Sequence, residues 1–202
     1  MNRSTTRKHR TVLTLLAAVL SATAVPMVAP STAEAAAGGE ACIVLAPNDV
    51  DPDGRGPRAP MGHSGWAFRH GITNTWTYGA TEGMTGKPQA TFITTGSWGQ
   101  MLHNFKTRNT GTRRYLKYRC LSTPSANVGK ADLAASRSAH DGYDLFRNNC
   151  LTKSVDIFHA YSPWLNSTRH LPNPRIRGIS LPPNYYYNNL LPKARWSPSR
   201  NL

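Results

Sequence analysis

The chain has 202 residues, with 24 lysines and arginines against 10 acidic side chains and a formal charge of +14. That length holds one domain with a sizeable core rather than several, and the basic balance favours polyanionic surroundings such as nucleic acid, anionic lipid or wall phosphate polymers. Beyond the first dozen residues the charges are scattered, Arg113-Arg114 being the densest pair, which reads as a solvated basic surface more than a dedicated nucleic-acid site.

Arg3, Arg7, Lys8 and Arg10 precede an uncharged apolar run over residues 12–25, followed by Pro26, Pro30 and the small-residue stretch 31–37. Basic, apolar and A-x-A segments in that order are the signature of a cleavable secretory signal. The apolar run is too short, and too soon broken by proline, to make a comfortable membrane span. Cleavage after Ala35 fits Ala33-x-Ala35 and assigns residues 1–35 to the signal. Without Arg3, Arg7, Lys8, Arg10 and Glu34, the mature chain keeps 20 basic and 9 acidic side chains, a formal charge of +11. It is expected to be soluble and extracellular, exported by the general route because no twin arginine is present.

Three cysteines remain: Cys42, Cys120 and Cys150. Outside the cytoplasm thiols tend to pair, so an odd count leaves one to be explained. Cys42 lies in the apolar run 41–46 and Cys120 ends the stretch 115–120, and both stretches have strand composition. Strand cysteines can meet across a sheet, which predicts a Cys42–Cys120 disulfide and leaves Cys150 free.

Residues 47–57 are a loop by composition. Asp49, Asp51, Asp53 and Gly54 faintly resemble a calcium loop, but Pro60 stands where the closing glutamate belongs, so neither calcium nor any other cofactor is expected. A strand pair is predicted at 62–69 and 75–80, joined through 70–74. Further short strands are read at 91–95 and 101–106, and a firmer one at 115–120. A helix is predicted over 128–140, ending near Gly142, and a second from about Asn149 to Tyr161, with Asn148-Asn149 as its cap. From Ser162 the chain is rich in proline, asparagine and tyrosine. The organisation expected is one domain over 36–165 with an irregular extension, 166–202, packed on its surface. The fold class is α+β with a mostly antiparallel sheet.

Cys150 sits in the first turn of the second predicted helix, behind Arg147. A helix N-terminus stabilises a thiolate, a nearby arginine adds to that, and free N–H groups of the first turn suit an oxyanion. A thiolate also needs a base, usually histidine. The histidines past the leader are His63, His70, His103, His140, His159 and His170. His63 is the best placed, on a strand face with the small Gly65 and Ala67, while Trp66 and Phe68 share the other face. His159 follows Cys150 by nine residues on the same helix, about 13 Å of rise, too far to serve it.

Gly62-His63-x-Gly65-Trp66, followed by Tyr143-x-Leu145-x-x-Asn148-Asn149-Cys150 at a helix start, resembles the circularly permuted papain-like enzymes. These are the permuted NlpC/P60 group, which includes the lecithin–retinol-acyltransferase-like proteins. The resemblance spans roughly residues 60–160. It implies Cys150 as nucleophile, His63 as base and an orienting polar residue on the strand after the histidine strand. With His70 opposite Thr75, residue 82 faces residue 63, which nominates Glu82; a one-residue slip substitutes Thr81.

The function expected from this pattern is a secreted cysteine hydrolase that cleaves an amide or ester bond through a Cys150 thioester. Its substrate would be peptide or acyl, cell-wall peptide most naturally, since a basic domain is held near anionic wall polymers. Two other classes stand beside it: a non-catalytic secreted binding or structural protein on the same fold, and a basic nuclease using His63 with a second histidine. A zinc site of His63, Cys150 and another histidine has no CxxC or HxxxH spacing behind it.

Overall fold

The computed structural model describes residues 36–49, 61–82, 90–108 and 114–202. The chain divides into two units, Met1–Glu34 and Ala35–Leu202. The expected signal and the aspartates at positions 51 and 53 therefore lie outside the described residues. The elements in chain order are β1 (Ala36–Ala46), β2 (His63–Arg69), β3 (Thr75–Glu82), β4 (Ala90–Ser97), α1 (Trp98–Thr107) and β5 (Lys117–Ala126). Next come α2 (Val128–Ser138), α3 (Cys150–Tyr161), β6 (Arg175–Ile176), β7 (Ile179–Ser180), the short α4 (Pro183–Tyr185) and β8 (Arg200–Asn201).

Six strands form one antiparallel sheet in the order β4-β3-β2-β1-β5-β8. β1 is internal, and its run Ala41-Cys42-Ile43-Val44-Leu45-Ala46 is buried on both faces. That explains why it is a continuous apolar stretch rather than an alternating one. Ala41, Ile43, Leu45, Trp66 and Phe68 meet α2, α3 and the C-terminal segment on one face. Cys42, Val44, Ala46, Ala67, Trp76 and Tyr78 meet Met101 and Phe105 of α1 on the other. The sheet is thus covered by helices on both sides, and the fold is α+β.

Cys42 and Cys120 are direct partners in the β1–β5 ladder and form the expected disulfide, with Cα atoms 4.0 Å apart. The β2–β3 hairpin has the register in which His70 stands opposite Thr75: the His70 N–H donates to the Thr75 carbonyl (2.8 Å), and Trp66 pairs with Gly79.

Two expectations need correction. The stretch 101–106 is helix, not strand. Ser97 and Gln100 close a reciprocal capping box, Oγ accepting from the Gln100 N–H and Oε1 from the Ser97 N–H. Met101 and Phe105, four residues apart, are the buried stripe of that helix. The C-terminal extension is not a surface layer either. Tyr186, Tyr187, Leu191 and Trp196 are built into the core, and β8 adds an edge strand beside β5. Tyrosine and tryptophan allow this because their polar ends find partners: Tyr186 Oη donates to the Pro172 carbonyl (2.6 Å) and Trp196 Nε1 to the His170 carbonyl (2.7 Å). Among the described residues, no helix is long and apolar enough to cross a membrane.

Candidate functional site

Cys150 opens α3 as expected, and Asn149 is the cap. The Asn149 backbone is extended, and its Oδ1 accepts from the Leu151 and Thr152 N–H groups, both at 3.1 Å. These are two of the first-turn donors that an oxyanion would require, and the cap already occupies them. The thiol itself is only 3% exposed. Burial pushes its pKa up. Hydrogen bonds from the Ser64 backbone and hydroxyl and from Tyr143 work against that shift, and the negative Asp49 adds to it. The net direction is upward, against the lowered pKa that an activated cysteine nucleophile needs.

β2 decides which of its side chains meets that thiol. Successive residues of a strand point to opposite faces. Trp66 and Phe68 pack in the cluster that contains Leu151, Val155 and Phe158 of α3, and Ser64 shares their face. His63, Gly65 and Ala67 point toward α1. A Cβ on Gly65 would fall 2.6 Å from the Phe105 ring, and the His63 ring lies edge-to-face on Tyr115 with centroids 5.9 Å apart. The small residues beside His63 make room for Phe105 of α1, not for the start of the Cys150 helix. Cys150 is brought together with Ser64, and His63 with Tyr115, on opposite sides of the sheet. Glu82 ends β3 across from Ala90; its side chain lies outside the described residues.

The other histidines are spread out. His70 Nε2 is 2.8 Å from Thr77 Oγ1, and the His170 ring stacks on Trp164. His159 lies in the last turn of α3, where burial lowers its pKa. Among the described residues, one group of three potential metal ligands converges: Glu40, Cys42 and Cys120. Both of its sulfurs are in the disulfide, which leaves no thiolate for a metal.

A cleft of about 460 Å³ lies on the α1 side of the sheet beside that disulfide, lined in part by Glu40, Arg69, Trp76, Trp98, Tyr118 and Arg200. Its aromatics form a chain, Trp76 to Trp98 at 4.9 Å and Trp98 to Tyr118 at 5.4 Å between centroids. Arg69 lies over the Trp76 ring at 5.9 Å and 3.7 Å from the Glu40 carboxylate. Asn74 anchors the Trp98 end, its Oδ1 accepting the Trp98 N–H at 3.2 Å. Trp98 is half-buried, while Trp76 and Tyr118 are 3% and 7% exposed and show little ring to the cleft. With Arg69 and Glu40 beside them, the lining offers one partly open indole next to an ion pair. Sequence reasoning passed over these residues because they come from five strands and a helix. The visible hint was two tryptophans bracketing β3 and β4. No protein-family model matches the chain, and no curated protein or solved structure is significantly similar to it.

Proposed function

We propose that the exported domain is a non-catalytic recognition protein whose ligand site is the aromatic and arginine-lined cleft beside the Cys42–Cys120 disulfide. The observation that carries this reading is the contrast between the start of the Cys150 helix and the cleft. At Cys150 the thiol is buried, its pKa is pushed up by that burial, and Ser64 faces it. At the cleft, aromatic rings and ionic groups converge on about 460 Å³ of open space, within the usual range for a small-ligand site. On this reading the scaffold is the permuted papain-like one of the resemblance, with its cysteine kept as a packing residue.

The ligand class follows from the lining. Trp98 supplies a partly open ring face for the C–H side of a sugar ring, backed by the buried Trp76 and Tyr118. Arg69 and Arg200 supply charge for a carboxylate or phosphate, and Thr73, Asn74 and Ser197 supply neutral polar groups. An acidic oligosaccharide or sugar phosphate of cell-wall type fits that set, and a mature charge of +11 draws the domain toward such polymers.

Calorimetric titration with acidic and neutral wall-glycan fragments tests this. Saturable binding of the acidic fragments, weakened at least about tenfold by Trp98→Ala and by Arg69→Ala, is expected; one lost hydrogen-bonded charge contact alone accounts for such a factor. Equal binding by both variants overturns the assignment. The competing hydrolase, acting on an amide or ester bond through Cys150 and His63, is separated by iodoacetamide at pH 7. Rapid labelling of the folded protein, slowed by His63→Ala, restores that reading. RNA hydrolysis that survives Cys150→Ser and is lost in His63→Ala moves the function to the nuclease.

A further inference from the structure

β6 and β7 form a separate two-stranded hairpin in which Ile176 pairs with Ile179. Its two turn residues, Arg177 (φ 50°) and Gly178 (φ 80°), both lie in the left-handed region, the geometry of the tightest hairpin turns. A short preformed turn therefore carries two isoleucines at its tip, 56% and 57% exposed. The hairpin is tied to the loop before α3: the Ser180 N–H donates to the Phe146 carbonyl (2.7 Å), and the Arg175 guanidinium to the Arg147 carbonyl (3.1 Å). Phe146, 55% exposed, lies on the loop to which the hairpin is tied.

A single exposed isoleucine asks for no explanation, but three large apolar side chains gathered on adjoining loops do. Their rim is basic: Arg147 and Arg177 are exposed and Arg175 is half-buried. The acidic groups nearby leave Arg147 and Arg177 as the cations of that rim. Asp144 Oδ1 accepts the Phe146 and Arg147 N–H groups at 2.9 and 2.8 Å, and Asp156 interacts with Arg175 and His159. An apolar tip with a cationic collar matches the layered chemistry of a bilayer surface, where hydrocarbon lies beneath negative headgroups.

We infer that the β6–β7 tip, with Phe146, is an interfacial anchor for a bilayer containing anionic phospholipid. Ile176, Ile179 and Phe146 enter the headgroup–acyl boundary, and Arg147 and Arg177 sit at the phosphates. Three apolar side chains make the attachment reversible and peripheral. The patch shares no residue with the aromatic cleft, so the inference does not depend on the ligand proposed there.

The test is co-sedimentation of the purified protein with phosphatidylcholine vesicles, with and without phosphatidylglycerol. Binding to the anionic vesicles is expected, at least about tenfold weaker to neutral ones and weaker again at high salt. Ile176→Ser/Ile179→Ser removes the apolar part and is expected to lower partitioning about tenfold or more. Arg147→Ala/Arg177→Asn removes the collar with a similar loss, asparagine being chosen because it tolerates the left-handed turn position. All four positions lie outside the core, and unchanged thermal unfolding confirms that the variants fold. Absence of vesicle binding by the unmodified protein overturns the inference. So does undiminished binding by the Ile176→Ser/Ile179→Ser variant, or a dimer that these changes dissociate without any lipid effect.

Discussion

Removing the Cys42–Cys120 disulfide has a cost that follows from chain topology. The bond closes a loop with a sequence separation of 78. The chain-entropy relation for a loop of that size gives about 4.5 kcal/mol of lost stability at 25 °C, because the unfolded chain regains the freedom that the cross-link denied it. In a domain of this length, about 1 kcal/mol moves the melting temperature by roughly 2–4 °C, so a fall of roughly 9–18 °C is expected. The native state adds little to the loss, since the two residues are already paired across β1 and β5 and backbone hydrogen bonds keep that ladder. The assay is urea unfolding of the protein and of Cys42→Ala/Cys120→Ala, with tryptophan fluorescence and far-UV dichroism as independent probes. The double variant should retain its β-sheet signal in the absence of urea and unfold at a much lower midpoint. A stability loss below about 1 kcal/mol, with unchanged slope, would refute the reasoning, because an unfolded chain constrained by a loop this long cannot be indifferent to its release.

Three further outcomes follow from the packing. The Cys150 thiol has its pKa raised by burial, so the folded state retains this proton longer than the unfolded one. The resulting stability is fully present below the ordinary thiol range and is lost as pH rises through the folded pKa. Cys150→Ala should flatten the alkaline limb of a stability–pH curve, and an unchanged limb contradicts the assignment. Gly65→Ala places a Cβ 2.6 Å from Phe105 and 3.1 Å from the Gly79 carbonyl, an overpacking expected to cost about 1–3 kcal/mol in urea unfolding; a neutral result would show that α1 yields. Lys153 is buried and bonded to the Ser138 carbonyl and the Asp141 carboxylate. Asp141→Ala strands that ammonium and should cost about 2 kcal/mol, less than a fully enclosed pair because Asp141 is half open to water. Adding Lys153→Met should recover part of the loss, and a double variant no better than Asp141→Ala removes the charge argument.

Local rules made several features legible in the sequence. Asparagine before a helical run announced the Asn149 cap, and turn-forming residues between two strands set the β2–β3 register at His70 and Thr75. Strand composition around Cys42 and Cys120 located the disulfide. Each of these depends on neighbours in the chain or on one ladder, so each could be read from spacing. The alternation of β2 was equally plain: Trp66 and Phe68 on one face, His63 and Gly65 on the other. What alternation cannot say is which helix covers which face. Packing decided that α3 takes the bulky face, where Trp66 and Phe68 fill the space against Val155 and Phe158, while the gap left by Gly65 receives Phe105 of α1. That choice joined Cys150 to Ser64 and carried His63 to the far side of the sheet. The same global accounting drew Tyr186, Tyr187 and Trp196 inward and assembled the cleft from residues as distant as Glu40 and Arg200. Spacing along a chain encodes hydrogen-bonded neighbours; which surfaces are buried against each other is settled by the volume and apolar area of the whole domain.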